Sequence, residues 1–161
     1  MKSIFAIFAL FSVLSCATNT TSQYSKIEYE AGACFGFCPI FKMQINPDRT
    51  VVIDAEHFTF SDGKSKDEFS KPKEGTFSTT LKEANFKKLM LLIDDLNVKG
   101  LKTDYGNHNV TDLPTSYLTI TFIDGTSRNV KDYGKDGTPK LKELYNLLES
   151  FPKSQTWTKV K

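Results

Sequence analysis

Between Tyr117 and Lys131 the chain alternates every two residues. Leu118, Ile120 and Phe122 are apolar, Thr119 and Thr121 between them are polar, and Asp124-Gly125 interrupts the pattern before Ser127. A period of two places the apolar set on one face of an extended strand, and Asp-Gly is the dipeptide that a two-residue hairpin turn favours. The segment is therefore expected to be an antiparallel hairpin with one face in a core and Ser127 to Lys131 as its return strand. A second stretch repeats the pattern: Phe41, Met43 and Ile45 alternate with Lys42 and Gln44, Asn46-Pro47-Asp48-Arg49 supplies turn chemistry, and Val51, Ile53 and Ala55 alternate again. Residues 40–57 thus predict another hairpin.

The period changes to helical in two places. Leu81, Phe86, Leu89, Ile93 and Leu96 recur at steps near 3.6 behind Thr80-Leu81-Lys82-Glu83, which fits a capping box, with Lys99-Gly100 as the stop. Thr138-Pro139 places a cap before a proline at the first helical position, and Leu141, Leu144, Tyr145, Leu148 and Phe151 form an apolar stripe ending at Pro152. The order hairpin, helix, hairpin, helix predicts an α+β fold: an antiparallel sheet of two hairpins with two helices packed on one face. Short extended pieces are expected at Ile27–Glu30, around His57 to Phe60, and at Gly75 to Ser78, with a solvated Lys/Asp/Glu-rich segment at 64–74 between the last two.

At 161 residues, 39% hydrophobic and 25% charged, the chain is long enough to bury roughly 70% of its unfolded surface in one core, so residues 26–161 are read as a single domain. Lys+Arg 21 against Asp+Glu 19 leaves a net charge of +2, with lysines interleaved among acids, which excludes the electrostatics of a nucleic-acid-binding protein.

Met1 to Ser15 carries Lys2 and an apolar run from Ile4 to Leu14 broken only by Ser12. That run is too short for the ~20 residues a membrane-spanning helix needs and reads as a signal peptide. Its end, Val13-Leu14-Ser15-Cys16, resembles the bacterial lipobox, which implies cleavage before Cys16 and acylation there. Several acyl chains would then hold the protein stably to a membrane. Residues 16–25, small and polar, read as a flexible tether. Ala17, where retained lipoproteins carry Asp, points by the same resemblance to the outer membrane.

With Cys16 given to lipid, Cys34 and Cys38 remain, an even number in an oxidising compartment, and a disulfide closed by a turn at Gly36 is the default reading. Two alternatives stay open. The Cys-x-x-x-Cys-Pro run resembles copper chaperones related to thioredoxin, with His57 or His108 as the third ligand beside Cys34 and Cys38. A redox-active pair is the other, although the helix N-terminus that usually activates such thiols is not foreseen after Pro39. No Gly-x-Ser-x-Gly elbow or phosphate-binding glycine loop occurs, and no cofactor is expected. Asp94 and Asp95 read as solvated. Asp104, Asp112 and Asp132 would be paired acids only if the fold gathered them.

Taken together, Cys34-Phe35-Gly36-x-Cys38-Pro39-x-Phe41, Val110-Thr111-Asp112-Leu113-Pro114-Thr115, Val130-Lys131-Asp132-Tyr133-Gly134 and Trp157 resemble the bacterial lipoprotein domain-of-unknown-function family 6438. The resemblance spans about 26 to 158 and implies an envelope domain without an assigned activity. Its marked positions fall on Cys34, Phe35, Gly36, Cys38, Pro39, Asp112, Pro114 and Trp157. Asn46-Pro47-Asp48-Arg49 departs from the glycine-containing turn usual there. The expected function is that of a lipid-anchored, non-catalytic binding or structural module with a membrane contact through its lipid and an envelope protein as partner. The alternative is a periplasmic thiol site, redox-active or copper-binding.

Overall fold

The computed structural model describes residues 23–36, 38–56, 58–60 and 74–160. The signal segment, Cys16, His57 and most of the 64–74 segment lie outside the described residues. The elements in order are β1 (Tyr24–Ala31), β2 (Phe41–Ile45), β3 (Thr50–Ala55), β4 (Gly75–Thr80), α1 (Glu83–Asp95), a single 3-10 turn (Val98–Gly100), β5 (Asp104–Gly106), β6 (Thr115–Phe122), β7 (Ser127–Tyr133), α2 (Pro139–Ser154) and β8 (Thr158–Lys159).

The α+β class holds, but the sheet is larger than two hairpins and is mixed. Among the described residues, eight strands run in the order β5-β7-β6-β1-β2-β3-β4-β8, and β5 lies parallel to β7. The two hairpins, β2–β3 and β6–β7, are joined by β1, which pairs antiparallel with β2 (Tyr29↔Met43) and with β6 (Tyr29↔Leu118). Both edge strands are short, three and two residues, and neither carries a period long enough to be read from the sequence.

Alternation decides the layers. Ile27, Tyr29, Ala31, Phe41, Met43, Ile45, Val51, Ile53, Leu118 and Ile120 point to one face and are buried with Leu89 and Ile93 of α1 and Leu141, Leu144, Leu148 and Phe151 of α2. Glu28, Glu30, Lys42, Gln44 and Thr119 occupy the other face, which no described element covers. A bulge at Ser25 shifts the register between Tyr24 and Lys26, so that Tyr24 and Ile27, three apart, both face inward.

The turns follow the sequence closely. Arg49 N–H donates to Asn46 carbonyl at 3.0 Å, and Arg49 takes φ 71°, the left-handed conformation where glycine is usual. Asp48 Oδ1 accepts from both the N–H and the hydroxyl of Thr50, which holds the non-glycine turn in place. Gly125, at φ 81°, closes the β6–β7 turn by donating to Phe122 carbonyl at 3.0 Å.

Several local expectations are corrected. The capping box does not form: Thr80 is paired with Thr50 in the β3–β4 ladder, and α1 begins after Lys82, which makes no side-chain cap. The sheet has claimed the residue that the helix would have used. Helix α1 ends before Lys99-Gly100, because Asn97 turns left-handed at φ 48°. Residues 58–60 form a turn rather than a strand. Helix α2 starts as expected, with Leu141 N–H donating to the Thr138 hydroxyl at 3.1 Å, but passes Pro152 and stops at Ser154. A proline so near the C-terminus removes one hydrogen bond while its buried ring packs in the core.

Candidate functional site

The loops at the Ala31 end of β1 gather almost all of the sequence motifs at one pole of the sheet. β1 and β6 pair antiparallel with Ala31 opposite Ser116, so the loop leaving β1 and the loop entering β6 are neighbours. Gly32 N–H donates to Thr115 carbonyl at 2.8 Å, and Phe35 N–H donates to Asp112 carbonyl at 3.3 Å. A Cβ on Gly32 would meet that Thr115 oxygen at 2.9 Å, which explains the glycine. Cys34 and Cys38 are joined as a disulfide with Cα atoms 5.8 Å apart, and Gly36 takes φ 134° between them. On the far side of the loop, Ile40 carbonyl accepts from Glu56 N–H at 3.0 Å and from the buried Thr59 hydroxyl at 2.6 Å.

The second and third motif blocks meet the first there. Asp112 turns the chain at φ 64°, Leu113 N–H donates to the Tyr133 hydroxyl at 3.3 Å, and Gly134 N–H donates to Pro114 carbonyl at 2.8 Å. Asp132, fully buried, fixes the next loop by accepting from Gly137 N–H at 2.9 Å and Asp136 N–H at 3.3 Å. Its negative charge is met by backbone donors rather than by a cation. Phe35 stands at the tip of this scaffold with its ring 89% exposed, and Val110 is 44% exposed in the adjoining loop. Trp157 lies apart, at the β8 edge, where its indole donates to Pro152 carbonyl at 3.0 Å and its ring meets Phe60 edge-on.

Beneath the pole runs a polar chain that crosses both layers. The Tyr29 hydroxyl lies 2.7 Å from the Ser116 hydroxyl and donates to Glu149 of α2, which also accepts from Lys135. Burial and the Glu149 carboxylate raise the Tyr29 phenol well above its ordinary range. Tyr145 stacks on Tyr29 at 5.7 Å, and its buried hydroxyl faces the Asp132 carboxylate. Burial, with Asp132 nearby, raises that phenol too. At the other end of β1, burial and the Asp94 carboxylate, which accepts its hydroxyl at 3.0 Å, push Tyr24 up to about 12.

The three candidate acids do not form a pair: Asp132 holds backbone, Asp104 meets His108 at 3.1 Å, and Asp112 makes no salt bridge among the described residues. His108, stacked on Tyr133 at 5.4 Å, is engaged there rather than with the cysteines. No group of three or more His, Cys, Asp or Glu side chains assembles in a metal-holding arrangement among the described residues. Asp94 and Asp95, read as solvated, take Tyr24 and Lys140 as partners, the latter at 2.7 Å. The uncovered face holds a shallow concavity of about 470 Å³, lined by Glu28, Glu30, Lys42, Gln44, Val52 and Tyr117. Its charges are largely matched, with Lys42–Glu30 at 3.2 Å and Lys26–Glu28 at 3.0 Å.

The sequence missed the Tyr29–Ser116–Glu149–Lys135 chain altogether. Ser116 and Glu149 are 87 and 120 residues from Tyr29, and no local spacing announces them.

Such an arrangement defines a two-layer α+β domain whose motif residues build a loop scaffold at one pole. The profile of the domain of unknown function DUF6438 matches residues 25–152, most of the chain, and the chain belongs to that family. No curated protein matches it.

The disulfide closes only a five-residue loop, for which chain entropy predicts about 2 kcal/mol. Reduction is therefore expected to loosen residues 34–38 while the sheet stays folded, because Phe35 and Ile40 remain tied to Asp112, Glu56 and Thr59. Far-ultraviolet circular dichroism with and without strong reductant checks this; loss of the sheet signal on reduction would contradict it.

Proposed function

We propose that this chain is a lipid-anchored protein of the bacterial cell envelope, held by acylated Cys16 at the outer membrane, whose domain binds another envelope component without performing catalysis. One observation carries the reading of the domain: most of the motif residues converge, among the described residues, on loops at one pole of the sheet that are tied together by backbone hydrogen bonds. Cys34, Gly36, Cys38, Asp112 and Pro114 all shape backbone, and among the described residues the most exposed side chain beside them is Phe35, which has no catalytic chemistry. A binding module needs this kind of preorganised contact, since ordering a loop at the moment of association weakens affinity. The cysteines are joined to each other, and Pro39 leads into strand β2 rather than a helix N-terminus, so the usual activation of a redox thiol is missing, which favours the structural use of the sulfurs.

The anchor is tested by Cys16→Ala. Acyl labelling should vanish and the protein should leave the membrane fraction. Continued labelling and membrane retention of the variant would end the lipoprotein reading.

A further inference from the structure

The tether joins the domain at one end of the sheet, and contacts with Tyr24 and Phe122 place the groups around that joint. Ile123 N–H donates to Gln23 carbonyl at 3.0 Å, so the chain enters the sheet beside the β6–β7 turn. The rings of Tyr24 and Phe122 meet at 5.5 Å, and the Tyr24 hydroxyl donates to Asp94 near the end of α1 at 3.0 Å. Helix α1 crosses this end of the sheet. It begins beside the β2–β3 turn, where Leu81 N–H donates to Arg49 carbonyl at 2.9 Å, and finishes beside Tyr24; between these points its Phe86 and Met90 lie against Tyr24 and Pro47. Lys99, in the turn after α1, holds its ammonium 4.8 Å from the centre of the Phe122 ring.

Two of the three most exposed large apolar side chains among the described residues stand on this rim. Ile123 is 69% exposed in the turn itself, and Leu91, 70% exposed, lies one helical turn before Asp94. Leu91 projects from the face of α1 opposite the buried Leu89 and Ile93, so the sheet does not cover it. Cations accompany the pair: Lys88, one turn before Leu91, and Lys99 make no salt bridge among the described residues. The acids nearby are engaged within the protein, Asp94 by Tyr24, Asp95 by Lys140 at 2.7 Å, and Asp124 by the N–H and hydroxyl of Thr126. Aliphatic groups beside unpaired lysines compose a surface that lies at headgroup level, methyl groups toward the acyl chains and ammonium groups on anionic phosphates.

The chain between Cys16 and Tyr24 decides which partner is within reach. Its eight links extend to roughly 26–29 Å at most. An acylated Cys16 would keep the rim within that distance of the bilayer, which makes contact with the surface an intramolecular event. At the millimolar effective concentration that a short linker sets, a weak contact is enough to bias the orientation of the domain. The opposite end of β1 is about 23 Å further on at ~3.3 Å per residue, so turning it to the bilayer would take nearly the whole reach.

We propose that the rim carrying Lys88, Leu91, Lys99 and Ile123 is a membrane-contact surface, which rests on the anionic headgroups of the bilayer that holds acylated Cys16. This contact rests on the lipid-anchor reading above and adds the face that the domain turns to its membrane.

The acylated protein, in vesicles of phosphatidylethanolamine and phosphatidylglycerol, is spin-labelled at Ala84→Cys or, in the loop entering β6 at the other end, at Val110→Cys. Ala84 is exposed and seven residues before Leu91, hence on the same face of α1. The Ala84 label should lose access to a water-soluble nickel chelate and gain access to oxygen, while the Val110 label stays aqueous. Leu91→Asp and Ile123→Asp together should return the Ala84 label to water, with a melting midpoint within a degree or two of the parent. An Ala84 label that is aqueous in the parent, one whose immersion survives both substitutions, or a Val110 label that enters the bilayer would each overturn the contact. Lost access with spin–spin broadening that disappears on dilution by unlabelled protein would make a second copy the occupant and overturn it too. The mass of the mature protein, read on the same sample, separates the two readings. An unacylated mass overturns the anchor and the contact together, whereas an acylated protein with an aqueous Ala84 label overturns the contact alone.

Discussion

Leu89→Asp is expected to lower the melting midpoint by more than 10 °C, or to abolish the cooperative transition. Leu89 is completely buried on α1, in the layer between helices and sheet. A carboxylate there would lose its hydration, whereas Asp132, the buried carboxylate among the described residues, is met by two backbone N–H groups. The penalty is several kcal/mol, against a total stability for a domain of this size of about 5–15 kcal/mol. Leu91→Asp is the control: two residues on, Leu91 is 70% exposed, and its variant should melt within a degree or two of the parent. Equal melting of the two variants would mean that α1 is docked by a different face.

Gly106→Ala is expected to release β5 and with it the pole. Gly106 sits at φ 110°, and a Cβ there would stand 2.0 Å from the Tyr133 carbonyl oxygen. Neither backbone can give without breaking the parallel β5–β7 pairing of Tyr105 with Asp132 and of Gly106 with Tyr133. Several kcal/mol is the expected cost, expressed locally. Amide exchange should accelerate through residues 104–114 and at Lys131, whose N–H bonds to Thr103, while the β2–β3 hairpin stays protected. Gly125→Ala separates the two components of the effect. Its φ is also positive, 81°, but nothing lies within 4 Å of the added carbon, so about 1 kcal/mol is expected. Similar exchange profiles for the two variants would show that the close approach at Gly106 is unimportant.

What the sequence displayed was whatever repeats over four or more residues. Phe41-Met43-Ile45 and Leu118-Ile120-Phe122 gave strands because a half-buried ladder imposes period two, and Thr138-Pro139 gave a helix start because cap and proline are local chemistry. Thr80 shows the limit. Its spacing to Glu83 is that of a capping box, yet a partner thirty residues away, Thr50, takes it into a ladder first. Likewise β5 exists only because β7 is beside it; Asp104-Tyr105-Gly106 has no periodicity of its own. The candidate site was legible as three separate blocks, and their convergence was not. The contacts that unite them, Gly32 to Thr115, Phe35 to Asp112 and Gly134 to Pro114, are made through backbone atoms that every residue shares.

The position of β1 at the centre of the sheet sets the order in which the molecule can be completed. The first strand of the described chain needs a partner about ninety residues later, since Ala31 pairs with Ser116 and Tyr24 with Phe122. Meanwhile β1 through β4 form a meander by short-range pairing, leaving the outer side of β1 as a bare ribbon of peptide groups. The small Cys34–Cys38 ring belongs to this early half and is independent of the late one. The folding chain is thus most open to wrong pairing along the strand that will become the best protected, until β6 closes it.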